Sequence, residues 1–216
     1  MLEATTVLGS GSLLGIVRFH EGGDVSGAMA ALVRGGIEQV EVTIDTPGAL
    51  AAVASAAGEG RTVGVGTVVD SEQVRAAAAA GARFVVSPGL VLEVIETART
   101  LGLEPVPGVF TATEILAATA AGARVMKLFP ASCGGPAYLR ALRGPFPALA
   151  LVPTGGVRIE EVHAYLDAGA TVIALGSELV GRVAPRSDTE LEWIAAQAAR
   201  ATAAVRDGVL STQASG

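Results

Sequence analysis

The chain has 216 residues, of which half are hydrophobic and 17% are charged, and its formal net charge is −6. This length fits one large α/β domain, while an acidic balance without a basic cluster argues against binding to nucleic acids. One cysteine rules out an intramolecular disulfide, two histidines leave too few ligands for a Cys/His metal site, and no apolar stretch reaches the ~18 residues that span a bilayer.

The chain opens on Met1–Ala4, which lacks the basic region and apolar run of a signal peptide, so we expect a cytoplasmic protein. From there, β-branched runs alternate with alanine-rich stretches of helical character. The predicted strands are Leu13–Phe19, Gln39–Ile44, Arg61–Val65, Arg83–Val86, Glu104–Val106, Val125–Phe129, Ala150–Val152 and Val172–Leu175. The predicted helices are Asp24–Arg34, Thr46–Ala57, Ser71–Ala80, Val91–Leu101, Thr111–Ala121, Tyr138–Leu142 and Ile159–Ala168.

Glycine follows several of these helices, where a left-handed residue commonly ends a helix, at Gly35, Gly81, Gly122 and Gly169. A last amphipathic helix, Asp188–Arg206, closes the predicted domain at residue 207. The residues that follow, 208–216, include the polar segment Ser211–Gly216 and are predicted to form a disordered tail.

Eight strand-to-helix units without a break predict an α/β fold, a single-domain (β/α)₈ TIM barrel, with a doubly wound open sheet as the alternative. One polar or glycine-rich marker follows each strand, and successive markers are 20 to 27 residues apart. In a barrel, these markers would meet at the carboxyl ends of the strands, where barrel active sites lie. The markers are Arg18, Glu41, Thr67, Ser87, Pro107, Lys127, Thr154 and Gly176.

Lys127 is the only lysine, so the other 14 of the 15 basic residues are arginines, and it stands in the apolar run 125–130. Arginine cannot lose its proton near neutral pH, whereas a desolvated lysine amine can form a Schiff base with a carbonyl substrate. A GC-rich coding bias explains why lysine is scarce, but not why the remaining one occupies an apolar strand. We therefore expect Lys127 to be chemically active.

Glu41 is a charged residue inside the apolar strand 39–44. Buried carboxylates are rare without a partner. A general acid/base that exchanges protons with Lys127 explains this position, and a structural ion pair with Lys127 or Arg18 is the alternative.

Glycine-rich turns follow the last two predicted strands, at Thr154–Gly156 and Gly176–Ser177. Their backbone N–H groups could hold a phosphate, although two glycines also simply make a tight turn. Thr67, after Gly64–Gly66, could hold a substrate carboxylate or cap a helix. His20 and His163 have no evident ligand or triad partner.

These motifs together resemble the class I 2-keto-3-deoxy-6-phosphogluconate aldolases, over about 13–181. The resemblance implies a (β/α)₈ barrel, usually a homotrimer, that needs no metal or organic cofactor. It implies cleavage of a phosphorylated 2-keto-3-deoxy sugar acid, a small-molecule substrate, to pyruvate and glyceraldehyde 3-phosphate. The matching segments are Glu41–Thr43, Gly64–Thr67, Ser87–Gly89, Pro107–Gly108, Lys127–Ala131, Pro153–Gly156 and Gly176–Ser177.

The resemblance also implies roles for single residues. Lys127 forms the Schiff base, and Glu41 shuttles protons. The substrate-binding residues it implies are Arg18, Thr67, Pro88, Phe129 and Thr154, with Thr67 at the pyruvyl carboxylate and Phe129 lining the pyruvyl pocket. The phosphate-binding residues it implies are Gly155, Gly156, Gly176 and Ser177.

Asp45 departs from the gluconate-specific pattern, which has an arginine four residues after the catalytic glutamate. The galactonate-type relatives lack that arginine and have one on the first strand, as Arg18 is here; Phe110–Glu114 and Gly135–Leu142 also resemble that branch. We expect Arg18 to supply the charge for the substrate carboxylate and Asp45 to face the aldehyde-derived portion or the rim.

Other functions stay open at this point. The chain could cleave 4-hydroxy-2-oxoglutarate or serve as another pyruvate-dependent aldolase. It could be another phosphate-binding barrel, of the isomerase or thiamine-phosphate synthase type, in which Lys127 only contacts an anion. It could also be a non-catalytic barrel that binds a sugar phosphate.

Overall fold

The structure is a computed structural model that describes residues 7–9 and 12–213, with side chains described as far as residue 206. The segment Met1–Ala4, in which no signal peptide is expected, lies outside the described residues. So do residues 214–216 of the predicted tail.

Strands and helices alternate along the chain, as predicted. The strands are β1 (Ser12–Val17), β2 (Gln39–Thr43), β3 (Val63–Gly66), β4 (Phe84–Val86), β5 (Glu104–Val106), β6 (Gly108–Val109), β7 (Val125–Leu128), β8 (Ala150–Pro153) and β9 (Val172–Leu175). The helices are α1 (Val25–Arg34), α2 (Ala49–Gly58), α3 (Ser71–Ala79), α4 (Leu92–Thr100), α5 (Ala112–Ala120), α6 (Gly135–Arg143), α7 (Val162–Asp167), α8 (Ser177–Val180) and α9 (Asp188–Gln213). Short 3₁₀ turns occupy Ala131–Cys133 and Ile159–Glu161.

All recorded strand pairs are parallel, in the orders β5-β4-β3-β2-β1-β9 and β6-β7-β8. Within each part, strands that follow one another along the chain are paired, and the last strand, β9, pairs with the first, so the sheet curls back on itself. This order differs from that of an open doubly wound sheet, in which the chain reverses direction across the sheet.

The closed eight-strand ladder predicted from the sequence is not recorded in the described residues. Pro107, which has no N–H group to donate, separates β5 from β6 at the fifth predicted strand. Between β8 and β9 the recorded backbone hydrogen bond is the one from Thr171 N–H to Leu151 C=O, at 2.9 Å. The fold is therefore a curled, barrel-like parallel sheet in two hydrogen-bonded parts.

The strands are buried on both faces, which explains the high mean hydropathy of +0.53. Side chains alternate along β1, for example, between two clusters. Leu14 and Ile16 belong to an inner cluster with side chains from the other strands. Leu13 and Val17 belong to a larger outer cluster with the helices. In the described part of the chain, no helix combines the length and apolar character needed to cross a membrane.

Helix α9 continues to Gln213, beyond the boundary at residue 207 where we predicted the tail to begin. Gly208 costs about 1 kcal/mol in a helix interior relative to alanine, which weakens a helix without ending it, and no proline follows. The backbone of residues 208–213 is therefore helical rather than irregular.

Gly64 gives a test of how tightly the strands pack. A Cβ atom on Gly64 would lie 2.3 Å from the ring of Phe84, its register partner on β4. We expect Gly64→Ala to lower the free energy of unfolding by about 1–3 kcal/mol, because an overpacked core must shift its neighbours. Urea unfolding followed by circular dichroism measures this change.

The matched control is Gly58→Ala at the end of α2, where a Cβ atom meets nothing within 4 Å. This variant is expected to be as stable as the wild type or more stable by about 0.5 kcal/mol. Equal unfolding free energies for the two variants would contradict the tight contact at Gly64.

Candidate active site

A cavity of about 490 Å³ opens at the carboxyl ends of the strands. Its wall brings together most of the residues predicted from strand-end spacing and from the resemblance. These are Arg18, Thr67, Pro88, Lys127, Phe129, Thr154, Gly155, Gly156, Gly176 and Ser177. Glu41 is not part of this wall and is buried, with 1% exposure.

Lys127 is the central basic group of the cavity. It lies on β7, its N–H group donates to Pro107 C=O at 2.9 Å, and its side chain is only 5% exposed. The Nζ atom stands 4.9 Å from the centroid of the Phe129 ring. Burial lowers the pKa of Lys127; Glu41 acts against this shift and the charge of Arg18 adds to it. The site therefore favours an uncharged amine.

Glu41, on β2, is 1% exposed. Neither of its carboxylate oxygens has a hydrogen-bond partner in the described structure. Burial raises the pKa of Glu41, while the charges of Lys127 and Arg18 oppose that rise. The environment thus favours the protonated carboxyl group, which can donate a proton.

The glycine of neighbouring strand β3 makes room for this carboxyl group. A Cβ atom on Gly66 would lie 1.7 Å from Glu41 Oε1, closer than any real contact. Gly66 is therefore required by the side chain that crosses over it rather than by a turn.

Arg18 and Thr67 form a polar pair on the cavity wall. Arg18 Nη2 donates to Thr67 Oγ1 at 2.5 Å. Thr67 has φ 60°, a left-handed conformation that is a genuine outlier for a β-branched residue. Strained residues of this kind concentrate at binding and active sites.

The loop after β8 presents two consecutive glycines in left-handed conformations, Gly155 with φ 87° and Gly156 with φ 75°. A Cβ atom on Gly155 would meet the Phe129 ring at 2.7 Å, and one on Gly156 would meet Ser132 at 2.6 Å. The Gly155 carbonyl accepts from Ser132 N–H at 3.1 Å. The N–H groups of both glycines make no backbone hydrogen bond in the described chain, so they are available to an anion.

The wall also contains residues that the sequence did not single out for this site, among them His20, Arg158, Glu178, Gly181 and Arg182. The sequence shows no partner for His20, yet its place two residues after Arg18 puts it on the same loop. Proximity to the predicted markers was the available signal, because loops at strand ends share the mouth.

Other candidates lie elsewhere. Ser87 is buried and its hydroxyl donates to Gly89 C=O at 3.0 Å, as expected for a turn residue. Asp45 is exposed and does not line the cavity. His163 stands on α7 with its ring 3.8 Å from Asp167. No group of three or more potential metal-ligating side chains occurs among the described side chains of residues 7–9 and 12–206.

Comparison with known proteins agrees with the resemblance that the motifs indicate. The family model described as "KDPG and KHG aldolase" matches residues 5–193. The chain belongs to this family. The resemblance drawn from the motifs is thereby confirmed.

Relatives carry both substrate names. The chain is 34% identical over 201 residues to the 2-dehydro-3-deoxy-6-phosphogalactonate aldolase of Escherichia coli (strain K12), covering 91% of this chain and 96% of the relative. It is 38% identical over 157 residues to the 2-dehydro-3-deoxy-phosphogluconate aldolase of Pseudomonas aeruginosa, 71% of each chain. A KDPG aldolase from Legionella pneumophila, solved with pyruvate captured as a covalent carbinolamine intermediate, superposes with a TM-score of 0.78 at 29% identity, covering 88% of this chain and 94% of that one.

The lowered pKa of Lys127 gives a prediction for stability. At a pH between the lowered pKa of the folded protein and the ordinary value of 10.5, the unfolded lysine holds its proton and the folded lysine has released it. Between these values the free energy of unfolding rises with pH, and this stabilisation is lost as the pH falls towards the lowered pKa. The comparison uses a Glu41→Gln background, which removes the coupled carboxyl group, with Lys127 either kept or replaced by Met. As the pH rises from about 7 to about 10, we expect the free energy of unfolding of the protein that keeps Lys127 to increase by about 1 kcal/mol or more relative to its Lys127→Met counterpart.

Urea unfolding of both proteins at each pH measures the difference. A difference that stays constant over this range would mean that the folded Lys127 keeps its ordinary pKa.

Proposed function

We propose that this chain is a class I aldolase, a carbon–carbon lyase that cleaves a 2-keto-3-deoxy-6-phospho sugar acid to pyruvate and glyceraldehyde 3-phosphate. The observation that carries this proposal is the buried amine of Lys127, with its lowered pKa, at a cavity backed by the buried carboxyl group of Glu41. An amine and a carboxyl group held in this state are the two groups that Schiff-base chemistry requires.

In the proposed reaction, the uncharged Lys127 amine adds to the 2-keto group and forms a carbinolamine. Glu41 donates a proton to the departing hydroxyl group, so water is lost and a protonated imine remains. The imine draws the electrons of the C3–C4 bond as the Glu41 carboxylate takes the proton of the C4 hydroxyl, which releases the aldehyde. Glu41 then protonates C3 of the enamine, and hydrolysis releases pyruvate.

The two ends of the substrate are proposed to bind at opposite parts of the wall. Arg18 and Thr67, joined by their hydrogen bond, present a charge and a hydroxyl group to the carboxylate. The N–H groups of the glycine loop after β8, with Gly176 and Ser177, are proposed to hold the phosphate. Pro88, Phe129 and Thr154 complete the wall between the two ends.

The proposal also includes a closed barrel, a homotrimer and a cytoplasmic location. A closed (β/α)₈ barrel is supported by the hydrogen bond between Thr171 and Leu151, which joins the two recorded sheets. A homotrimer is supported by the family resemblance, and large apolar side chains such as Val69 and Leu92 remain 46% and 56% exposed. A cytoplasmic location is likewise carried by the resemblance.

Lys127 and Glu41 also distinguish the aldolase from the alternative functions. A non-catalytic sugar-phosphate-binding barrel would have no need for a buried amine and a buried carboxyl group together. An isomerase or thiamine-phosphate synthase would use Lys127 only as a cation, which its lowered pKa opposes. Retro-aldol assays with the gluconate and galactonate epimers and 4-hydroxy-2-oxoglutarate, run side by side, distinguish the aldolase substrates.

Borohydride reduction in the presence of pyruvate tests the Schiff base. We expect one stable pyruvyl adduct, located on the peptide that contains Lys127 by mass spectrometry, since this is the chain's single lysine. Glu41→Gln is expected to keep the adduct but to lower kcat by about 10²–10⁴-fold, because general acid/base catalysis contributes about that much.

Lys127→Met is the matched control and is expected to form no adduct there. An unmodified Lys127 in the wild type, after reduction under conditions that leave the protein folded, would contradict the aldolase proposal and leave the anion-contact alternative.

Arg18→Ala tests the carboxylate site. Loss of a hydrogen-bonded ion pair with the carboxylate is expected to raise the KM for pyruvate, in exchange of its methyl protons with solvent, by about tenfold. Arg34→Ala, on the exposed last turn of α1, is the control and should leave this KM unchanged. An unchanged KM in Arg18→Ala would show that another group binds the carboxylate.

A further inference from the structure

The active-site cavity contains more basic side chains than the proposed chemistry uses. Arg18, His20, Lys127, Arg158 and Arg182 all line it, although the chain as a whole has a formal net charge of −6. The reaction assigns Lys127 to the carbonyl and Arg18 to the carboxylate. The remaining arginines, Arg158 and Arg182, differ in the contacts that they already make within the protein.

Arg158 is held by a carboxylate of its own. Its Nη2 atom lies 3.3 Å from Glu161 Oε1, and its backbone N–H donates to Glu161 Oε2 at 3.0 Å. The charge of Glu178, which lies on the same wall, also acts on Arg158. Much of its charge is therefore balanced before any ligand arrives.

Arg182 differs because its side chain is exposed and makes no hydrogen bond or ion pair within the described chain. It follows α8, the short helix that begins at Ser177 on the proposed phosphate site. A guanidinium group in this state can reach a ligand without breaking an existing contact.

The backbone on both sides of Arg182 is fixed. Before it, Gly181 has φ 72° and its N–H group donates to Ser177 C=O at 3.0 Å, which closes the helix turn. After it, Ala184 is 1% exposed and Pro185 C=O accepts from Asp24 N–H at 3.0 Å. The side chain therefore projects from an anchored segment, so that binding orders few additional bonds.

We infer that Arg182 makes this cavity selective for substrates with a terminal phosphate, by pairing with the phosphate that the glycine loop and Ser177 hold. This inference rests on the proposed function and names a specificity-determining residue for it. A guanidinium fork matches phosphate oxygens, and it adds charge to a site otherwise built from backbone N–H groups.

A carboxylate on the same wall, that of Glu178, increases the effect of such a cation. Glu178 is half-buried and contributes a carboxylate to the same wall, where it repels a phosphate dianion. Backbone N–H groups bind anions but carry no net charge. Arg182 offsets the carboxylate and thereby raises affinity for the dianion above that for an uncharged hydroxyl group.

The test compares kcat/KM for a phosphorylated 2-keto-3-deoxy sugar acid with that for its unphosphorylated counterpart. In Arg182→Gln, the ratio of the two values is expected to fall about tenfold, mainly through the KM of the phosphorylated substrate. Arg182→Lys, which keeps the charge without the fork, should recover part of the ratio.

Arg186→Gln is the matched control, because Arg186 lies four residues further along, outside the cavity wall, 3.4 Å from Glu21. Its ratio should equal that of the wild type. A ratio unchanged in Arg182→Gln, or lowered equally in both glutamine variants, would overturn the inference.

Calorimetric titration with glycerol 3-phosphate, a phosphate monoester without a carbonyl group, separates this inference from the proposed reaction. Its Kd should rise about tenfold in Arg182→Gln and not in Arg186→Gln, whether or not the wild type forms a pyruvyl adduct. Loss of the adduct with this pattern intact would count against the aldolase alone. An adduct without this pattern would count against Arg182 alone.

Discussion

The active site depends on Lys127 and Glu41, two ionisable side chains that are buried in the same apolar interior. Their mutual attraction only partly offsets the cost of burying their charges. Burial moves the pKa of Lys127 down and that of Glu41 up, so the two groups approach a common range where a proton can pass between them. Their mutual attraction opposes both shifts. Because desolvation is the larger effect for each, the uncharged amine is favoured, and an amine must be uncharged to attack a carbonyl carbon.

Keeping a carboxyl group buried in this way constrains the neighbouring backbone. Glu41 occupies the space above Gly66, so the second glycine of β3 is required by the acid on β2. The strand then ends in Thr67, whose left-handed backbone departs from what threonine prefers. Such strain persists only where surrounding packing holds it, and Thr67 receives a hydrogen bond from Arg18 across the mouth. The glycine motif, the strained threonine and the arginine on the first strand thus form one connected arrangement.

Sequence periodicity predicted the strands and the side chains at their ends well, because a polar residue at the carboxyl end of an apolar strand stands out from the residues before it. Lys127 and Thr154 were found for this reason. Closure of the ladder was beyond such reasoning, since it depends on the N–H group that Pro107 lacks and on the register of β8 with β9. Arg182 was missed because its position on the wall is set by the left-handed turn at Gly181 and by anchoring contacts distant in sequence.

The exposure of Asp45 removes the main electrostatic objection to an anionic substrate. A carboxylate on the cavity wall would repel the substrate carboxylate strongly, but Asp45 is exposed and outside that wall, where water and salt screen its charge. Arg18, by contrast, stands on the wall with its guanidinium group oriented by Thr67. On the proposed assignment, the cation that holds the carboxylate stands at the end of β1, so the sign of the local potential stays favourable although Asp45 is acidic.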